Sequence, residues 1–236
     1  MADQQHSECL VCHLGLISYT EALELQRKLV ELRFREAIGD TLLVLQHLPT
    51  VTVGKFGKTD NILASPDELA RRGISICPSD RGGDVTFHCP GQLVVYPIMD
   101  LRHREGTLRG YITDLEEVAI RVLHDYGITA ERWPEHPGIW VNGKQIGAIG
   151  LRVSHGISMH GLSLNVNPDL KSFEVINLCG LPGKKATSIT AQLGHDVSFD
   201  EVVSKALDEF CSIYKTTLNV ITREQLEGDL LGATTA

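Results

Sequence analysis

No stretch of the 236-residue chain approaches the ~18 unbroken apolar residues that a membrane-spanning helix needs, so such a helix is excluded. The opening residues, Met1 to Glu8, lack both a basic segment and an apolar one, and no export signal is expected. Positive charge is also in deficit. With 22 basic and 30 acidic residues the net charge is -8, which argues against a broad nucleic-acid footprint and leaves only local patches such as Arg102-His103-Arg104 and Lys184-Lys185. Internal repeats and low-complexity linkers are missing. So is a complete phosphate-binding loop: Gly57-Lys58-Thr59 resembles the end of one, but the glycine required five residues before Gly57 is Thr52. The glycines of Gly180-Leu181-Pro182-Gly183-Lys184-Lys185 stand too close together for that motif. The 6 cysteines, in a chain without an export signal, are expected to be free thiols. Cys9-Leu10-Val11-Cys12-His13 matches a haem-attachment pattern, yet it lies in an apolar run that reads as a strand, so both cysteines are expected to be small core residues.

What is present is the composition of a soluble globular protein, long enough for a proper core. Strands are predicted over 8–16, 41–46, 50–53, 74–76, 92–99 and 158–166. Asn142-Gly143, between Ile139-Trp140-Val141 and Lys144-Gln145-Ile146, predicts a type I′ hairpin. Ser18 with Glu21, and Ser198 with Glu201, mark helix starts; other helices are predicted over 66–72 and 108–126. Hairpins mixed with strand-helix alternation imply an α/β fold, a mixed β-sheet flanked by helices in one domain over 8–217. Residues 1–7 and 226–236 are expected to be disordered tails.

Three segments carry chemistry. In Arg81-Gly82-Gly83-Asp84-Val85-Thr86-Phe87-His88-Cys89-Pro90-Gly91-Gln92 the paired glycines allow close backbone approach, while Arg81 can bind an anion or hold the loop. Gly147, Ala148 and Gly150 in a strand mark a place where an acyl chain, an extended peptide or a neighbouring element packs closely, and His160-Gly161-Leu162-Ser163 repeats the theme. Cys179 stands in the Gly- and Pro-rich loop Leu178-Cys179-Gly180-Leu181-Pro182-Gly183, where a thiol is accessible. A cysteine nucleophile needs a base or cation nearby; Lys144, Lys184, Lys185, His88 and His160 qualify by type. Cys89 is the rival nucleophile, and Cys211 reads as structural.

Together these segments, with His47-Leu48-Pro49 to Gly54, Gln145 to Gly150, Ser158-Met159-His160-Gly161-Leu162, Asn165 and Cys179-Gly180, resemble the lipoyl(octanoyl) transferases, or lipoate-protein ligase B family, over about residues 10–215. The resemblance implies a biotin/lipoate protein ligase-like fold, a cytoplasmic acyltransferase and an acyl-thioester on Cys179. It implies a substrate pocket lined by Arg81 to His88, by Ala148, Ile149 and Gly150, and by Gly161, Leu162 and Ser163. The acyl donor would be octanoyl-acyl carrier protein. The acceptors would be apo lipoyl domains of 2-oxoacid dehydrogenase complexes and the glycine-cleavage H protein. No metal or cofactor, no nucleic acid and no membrane is implied. Backbone amides near Gly180 or Gly82-Gly83 would serve as oxyanion donors.

The chain departs from the family pattern at its base. Where the family has a lysine paired with the cysteine, this chain has Gln145, and the lysine stands one residue earlier as Lys144. A one-residue shift on a regular strand flips the side chain to the other face. A bulge could return Lys144 to the site, another group such as His160, Lys184 or Lys185 could replace it, or activity could be weakened. Cys89 replaces a family glycine and would be strained if its backbone needed positive φ; Leu178 replaces a family proline. The competing functions are an octanoyl or lipoyl amidotransferase between carrier domains, a non-catalytic acyl-binding protein and an ATP-dependent ligase.

Overall fold

The computed structural model describes residues 7–104, 106–133 and 136–234. In chain order the elements are β1 (Ser7–Ile17), α1 (Tyr19–Phe34), β2 (Asp40–His47), β3 (Thr50–Val53), α2 (Pro66–Arg71), β4 (Ser75–Pro78), β5 (Val85–His88), β6 (Gln92–Ile98) and α3 (Leu108–Asp125). They continue with β7 (Glu131–Trp133), β8 (His136–Val141), β9 (Lys144–Ser154), β10 (Ile157–Asn165), α4 (Ile189–Leu193), α5 (Phe199–Tyr214), β11 (Thr216–Ile221) and α6 (Arg223–Thr234).

Local chemistry sets the element ends. Ser18, Ser65 and Ser198 each accept a hydrogen bond from the amide of the Glu three residues on, which satisfies an orphan donor at the start of α1, α2 and α5. Asn142 and Gly143 adopt φ of 50° and 74°, the left-handed pair that closes the β8–β9 hairpin as the sequence predicts.

The large sheet has strand order β11-β1-β2-β6-β10-β9-β8-β7 and the small one β4-β3-β5. β1 runs parallel to both β2 and β11; the pairs from β2 onward across the large sheet are antiparallel. One face buries Leu42, Val95 and Leu162 against α3 and α5; the other buries Leu43, Val94 and Met159 against α1. A third cluster, with Val51, Phe87 and Leu178, lies under the small sheet. Cys9 and Cys12 are fully buried on opposite faces of β1, as residues of opposite parity on a strand must be.

Several expectations change. The chain beyond Tyr214 forms β11 (216–221) and α6 (223–234), so residues 226–234 of the expected C-terminal tail are helical, and Leu226 is buried on the α1 side. The residues pairing β1 with β11 lie at opposite ends of the chain, and no local pattern announces such a contact. Of the other tail, residues 1–6 lie outside the described residues. Arg102 pairs with Asp100 and Glu36, while Arg104 binds Asp114 and lies over the Tyr214 ring at 4.5 Å, so that basic run is committed to structure. Cys211 is only half-buried.

Candidate active site

The loop into β5, the central parts of β9 and β10, and the start of α3 enclose a cavity of about 420 Å³. That lies within the ~300–1,000 Å³ of small-molecule sites. Of the expected lining, Arg81, Gly82, Gly83, Asp84, Val85, Thr86 and His88 are there, as are Ala148, Ile149, Gly150, Gly161, Leu162, Ser163 and Cys179. Phe87 is not: it packs fully buried in the core under the small sheet, with its ring 5.2 Å from that of Phe173. Leu108, Ile112, His136, Pro137, Leu151 and Tyr96 complete the wall without having been singled out in the sequence.

The small residues of β9 and β10 have distinct reasons. A Cβ on Gly147 would stand 2.9 Å from the Ser163 carbonyl, a matter of strand packing alone. One on Gly150 would stand 2.9 Å from Cδ of Arg81, so this glycine admits the arginine into the wall.

Cys179 sits in a short 3-10 turn, Leu178–Gly180, with a left-handed backbone (φ 53°). Its neighbour Gly180 has φ 71°, and a Cβ there would lie 2.5 Å from Oδ2 of Asp84. The Asp84 carboxylate accepts from the amides of Val85 (2.7 Å) and Lys58 (3.2 Å) and from Asn61 Nδ2 (2.9 Å). It therefore pins the loops beneath the thiol. The expected oxyanion donors at Gly180 and Gly82 are already engaged, Gly180 N–H with the Asn177 carbonyl and Gly82 N–H with that of Leu151.

Gln145, not Lys144, meets the sulfur. Its Nε2 donates to Sγ of Cys179 at 3.1 Å, and the residue is buried, whereas Lys144 is exposed at the hairpin end and lines no part of the cavity. A bulge does occur, between Ile139 and Trp140 on β8, and it leaves Lys144 outside. The alternative in which a bulge returns Lys144 to the thiol is not the arrangement found; Gln145 occupies that place. Lys184 lies over the Trp133 ring at 4.4 Å, and Lys185 is exposed. Two backbone bonds, Gln145 N–H to the Lys185 carbonyl and Thr187 N–H to the Gln145 carbonyl, lash β9 to the segment after the cysteine loop.

The cation in the wall is Arg81. It is buried, with its guanidinium fixed by Thr52 Oγ1 (2.8 Å), the Thr52 carbonyl (2.9 Å) and the Gly82 carbonyl (3.0 Å). Among the described residues no carboxylate forms an ion pair with it. Burial pushes the Cys179 thiol above its ordinary value, and Asp84 pushes the same way; the Gln145 hydrogen bond and the Arg81 charge oppose them. The sequence alone did not disclose this hydrogen bond.

Three imidazoles stand at this side of the site: His88 and His160 line the cavity, and His47 does not. His47 accepts from the Tyr96 hydroxyl at 2.8 Å and is held neutral by burial, its value lowered to about 4. His88 is likewise depressed by burial and bonds Gln92, which continues to Asn165 and the Thr187 carbonyl. His160 bonds Asp80 at 2.7 Å, a partner 80 residues away in sequence and therefore invisible there. Cys89 is buried outside the cavity, has no positive φ, and its thiol is pushed up to about 12 by burial; it is neither strained nor a nucleophile. Leu178 is buried in the small-sheet core.

The fold is that of lipoate- and biotin-protein ligase structures. The bipartite lipoate protein ligase of Thermoplasma acidophilum, solved with its E2 lipoyl domain, superposes with a TM-score of 0.74 over 96% of this chain and 92% of that one, at 17% identity. The biotin protein ligase of Aquifex aeolicus gives a TM-score of 0.51 over 95% and 73%, at 15% identity. The chain belongs to the lipoyl protein ligase A/B catalytic-domain family, whose model matches residues 18–211. Within it, the octanoyltransferase of Chloroflexus aggregans is 46% identical over 207 residues, covering 86% of this chain and 94% of that protein.

Proposed function

We propose that this protein transfers an octanoyl group from the thioester of an acyl carrier protein to a lysine of apo lipoyl domains, by way of a thioester on Cys179. The acceptors are the lipoyl domains of 2-oxoacid dehydrogenase complexes and the glycine-cleavage H protein, and the setting is the cytoplasm. The observation that carries the reading is the Cys179 sulfur itself. It accepts a hydrogen bond from Gln145 at the wall of a largely apolar cavity that also holds a buried guanidinium with no ion-pair partner among the described residues.

In the first step the Cys179 thiolate attacks the octanoyl carbonyl carbon. The carbon–sulfur bond to the carrier's phosphopantetheine breaks, and that thiol leaves with the proton Cys179 gave up. In the second step the neutral lysine amine attacks the acyl-enzyme, an amide forms, and the Cys179 sulfur leaves as thiolate and takes up the proton that the amine sheds. One thioester replaces another before the amide forms, so neither nucleotide nor metal is needed. Arg81 and Gln145 stabilise the sulfur anion in both steps. Burial of the acyl methylenes contributes at most ~0.8 kcal/mol each.

Intact-mass spectrometry after mixing with octanoyl-carrier tests the intermediate. The wild type gains one octanoyl group, which an apo lipoyl domain then removes; Cys179→Ala gains none. A wild type that stays unmodified while octanoyl amide accumulates would rule out the thioester.

A further inference from the structure

Both partners of the hydrogen bond between Gln145 and Cys179 are tied to one short segment. The cysteine loop runs directly into residues 185–187, which meet β9, among the described residues, through an isolated bridge between Gln145 and Ala186. In that bridge the Gln145 N–H donates to the Lys185 carbonyl at 2.9 Å and the Thr187 N–H to the Gln145 carbonyl at 2.8 Å. Two hydrogen bonds, each of modest net worth, do not by themselves keep such a segment in place.

Two buried amides hold it from the other side. Gln92 and Asn165 stand opposite each other on β6 and β10, 3% and 4% exposed. Backbone carbonyls, which only accept, fix how these amides are turned. Asn165 Nδ2 donates to the Thr187 carbonyl at 2.9 Å, so the Asn165 oxygen faces Gln92. Gln92 Nε2 donates to that oxygen at 2.9 Å and to the Phe87 carbonyl at 3.3 Å, and its own oxygen accepts from Nδ1 of His88 at 2.6 Å. The Thr187 hydroxyl accepts from Gln192 Nε2 at 2.7 Å. Buried amides cost stability unless every group is paired, and leucines would fill the same space, so the sheet alone does not call for them. A fully paired network makes rigid whatever it touches. Here it touches Thr187.

We propose that Asn165, braced by Gln92 and His88, is a positioning residue for the thiol: it clamps Thr187 and, through the bond from Thr187 to Gln145, keeps the Gln145 amide on the Cys179 sulfur. Asn165 itself lines no part of the cavity. Releasing the clamp lets residues 185–187 move, and the Gln145 backbone and the cysteine loop move apart with them. The inference rests on Cys179 being the reacting thiol of the reading above, and adds a residue that acts on it from outside the cavity.

The test reads the alkylation rate of Cys179 by iodoacetamide, followed by peptide mass spectrometry, at neutral pH and again above the titration of the thiol. The proteins are the wild type, Asn165→Ala, Gln145→Ala and the double variant. In Asn165→Ala the neutral-pH rate should fall about fivefold, as for the loss of one neutral hydrogen bond, and recover at high pH. The double variant should react no more slowly than Gln145→Ala alone, because no amide is left to position. A residue that only supports the fold lowers the melting temperature without moving the neutral-pH rate, or slows both backgrounds equally; either result overturns the proposal. If Asn165→Ala does not fold, Gln92→Met, of similar volume, frees the Asn165 oxygen and carries the same comparison: recovery at high pH and no effect in the Gln145→Ala background. Iodoacetamide needs no acyl donor. The expected pattern in a protein that transfers no octanoyl group would therefore sink the transfer reading and keep the clamp.

Discussion

The side-chain amide of Gln145 donates to the sulfur of Cys179 across 3.1 Å, at the strand position where the resemblance called for a lysine. An amide neither holds nor releases a proton at ordinary pH, so the thiolate draws on one neutral hydrogen bond and on a more distant charge. That division of labour fixes the behaviour of variants at this position.

Gln145→Ala removes a bond worth ~1 kcal/mol to the anion, so the alkylation rate of Cys179 by iodoacetamide at neutral pH should fall about fivefold. Gln145→Lys places a cation there and should raise the rate above that of the wild type. An unchanged rate in Gln145→Ala would show that the hydrogen bond does not act on the thiol.

Arg81 supplies the charge. Arg81→Met removes a buried cation that opposes the upward push of burial on the Cys179 thiol. Acylation at neutral pH should drop at least about tenfold and recover as the pH is raised, because an opposite charge nearby shifts a thiol by about a unit or more. Arg81→Lys keeps the charge but loses the fork on Thr52, and should fall between the two. Equal loss at every pH would mean that Arg81 only holds the loop.

His47 makes the fold sensitive to acid. Its folded value is lowered to about 4 from an ordinary 6.5, so as the pH falls through this window the unfolded chain takes up a proton that the folded one refuses. Stability should therefore decline from about pH 6.5 to about pH 4 by roughly 3 kcal/mol, and this contribution levels off below that range. His88 and His160 are depressed in the same direction and steepen the decline. Denaturant titrations at several pH values should show a shallower slope for His47→Gln, which keeps polar atoms for Tyr96 and the Ile17 carbonyl.

Much of this was legible in the chain. Ser18, Ser198 and Asn142-Gly143 announce their elements because caps and tight turns are local. Cys179 and the cavity strands stand out because glycine clusters are needed where backbones and side chains approach closely. What stayed hidden depends on distant partners. Asp80 acquires meaning only when β10 brings His160 to it, and α6 only when β11 pairs with β1. Arg81 was visible as a site residue, but its lack of an ion-pair partner among the described residues is a property of packing.

Two glycines that the sequence treats alike should separate cleanly. A Cβ on Gly161 would stand 2.3 Å from the Val95 carbonyl oxygen and 2.7 Å from Cδ of Pro97, the first fixed by the β6–β10 pairing and the second by the β2–β6 pairing. Nothing there can yield, so Gly161→Ala should destabilise the fold by about 3 kcal/mol or more. A Cβ on Gly150 meets the middle of the flexible Arg81 side chain at 2.9 Å. Gly150→Ala should keep most of the stability but displace the guanidinium, so acylation slows at neutral pH and recovers at higher pH, as in Arg81→Met. Thermal unfolding and acylation rates on the pair decide the matter: a Gly150→Ala variant that reacts normally would mean that Arg81 does not need its present place for the thiol to work.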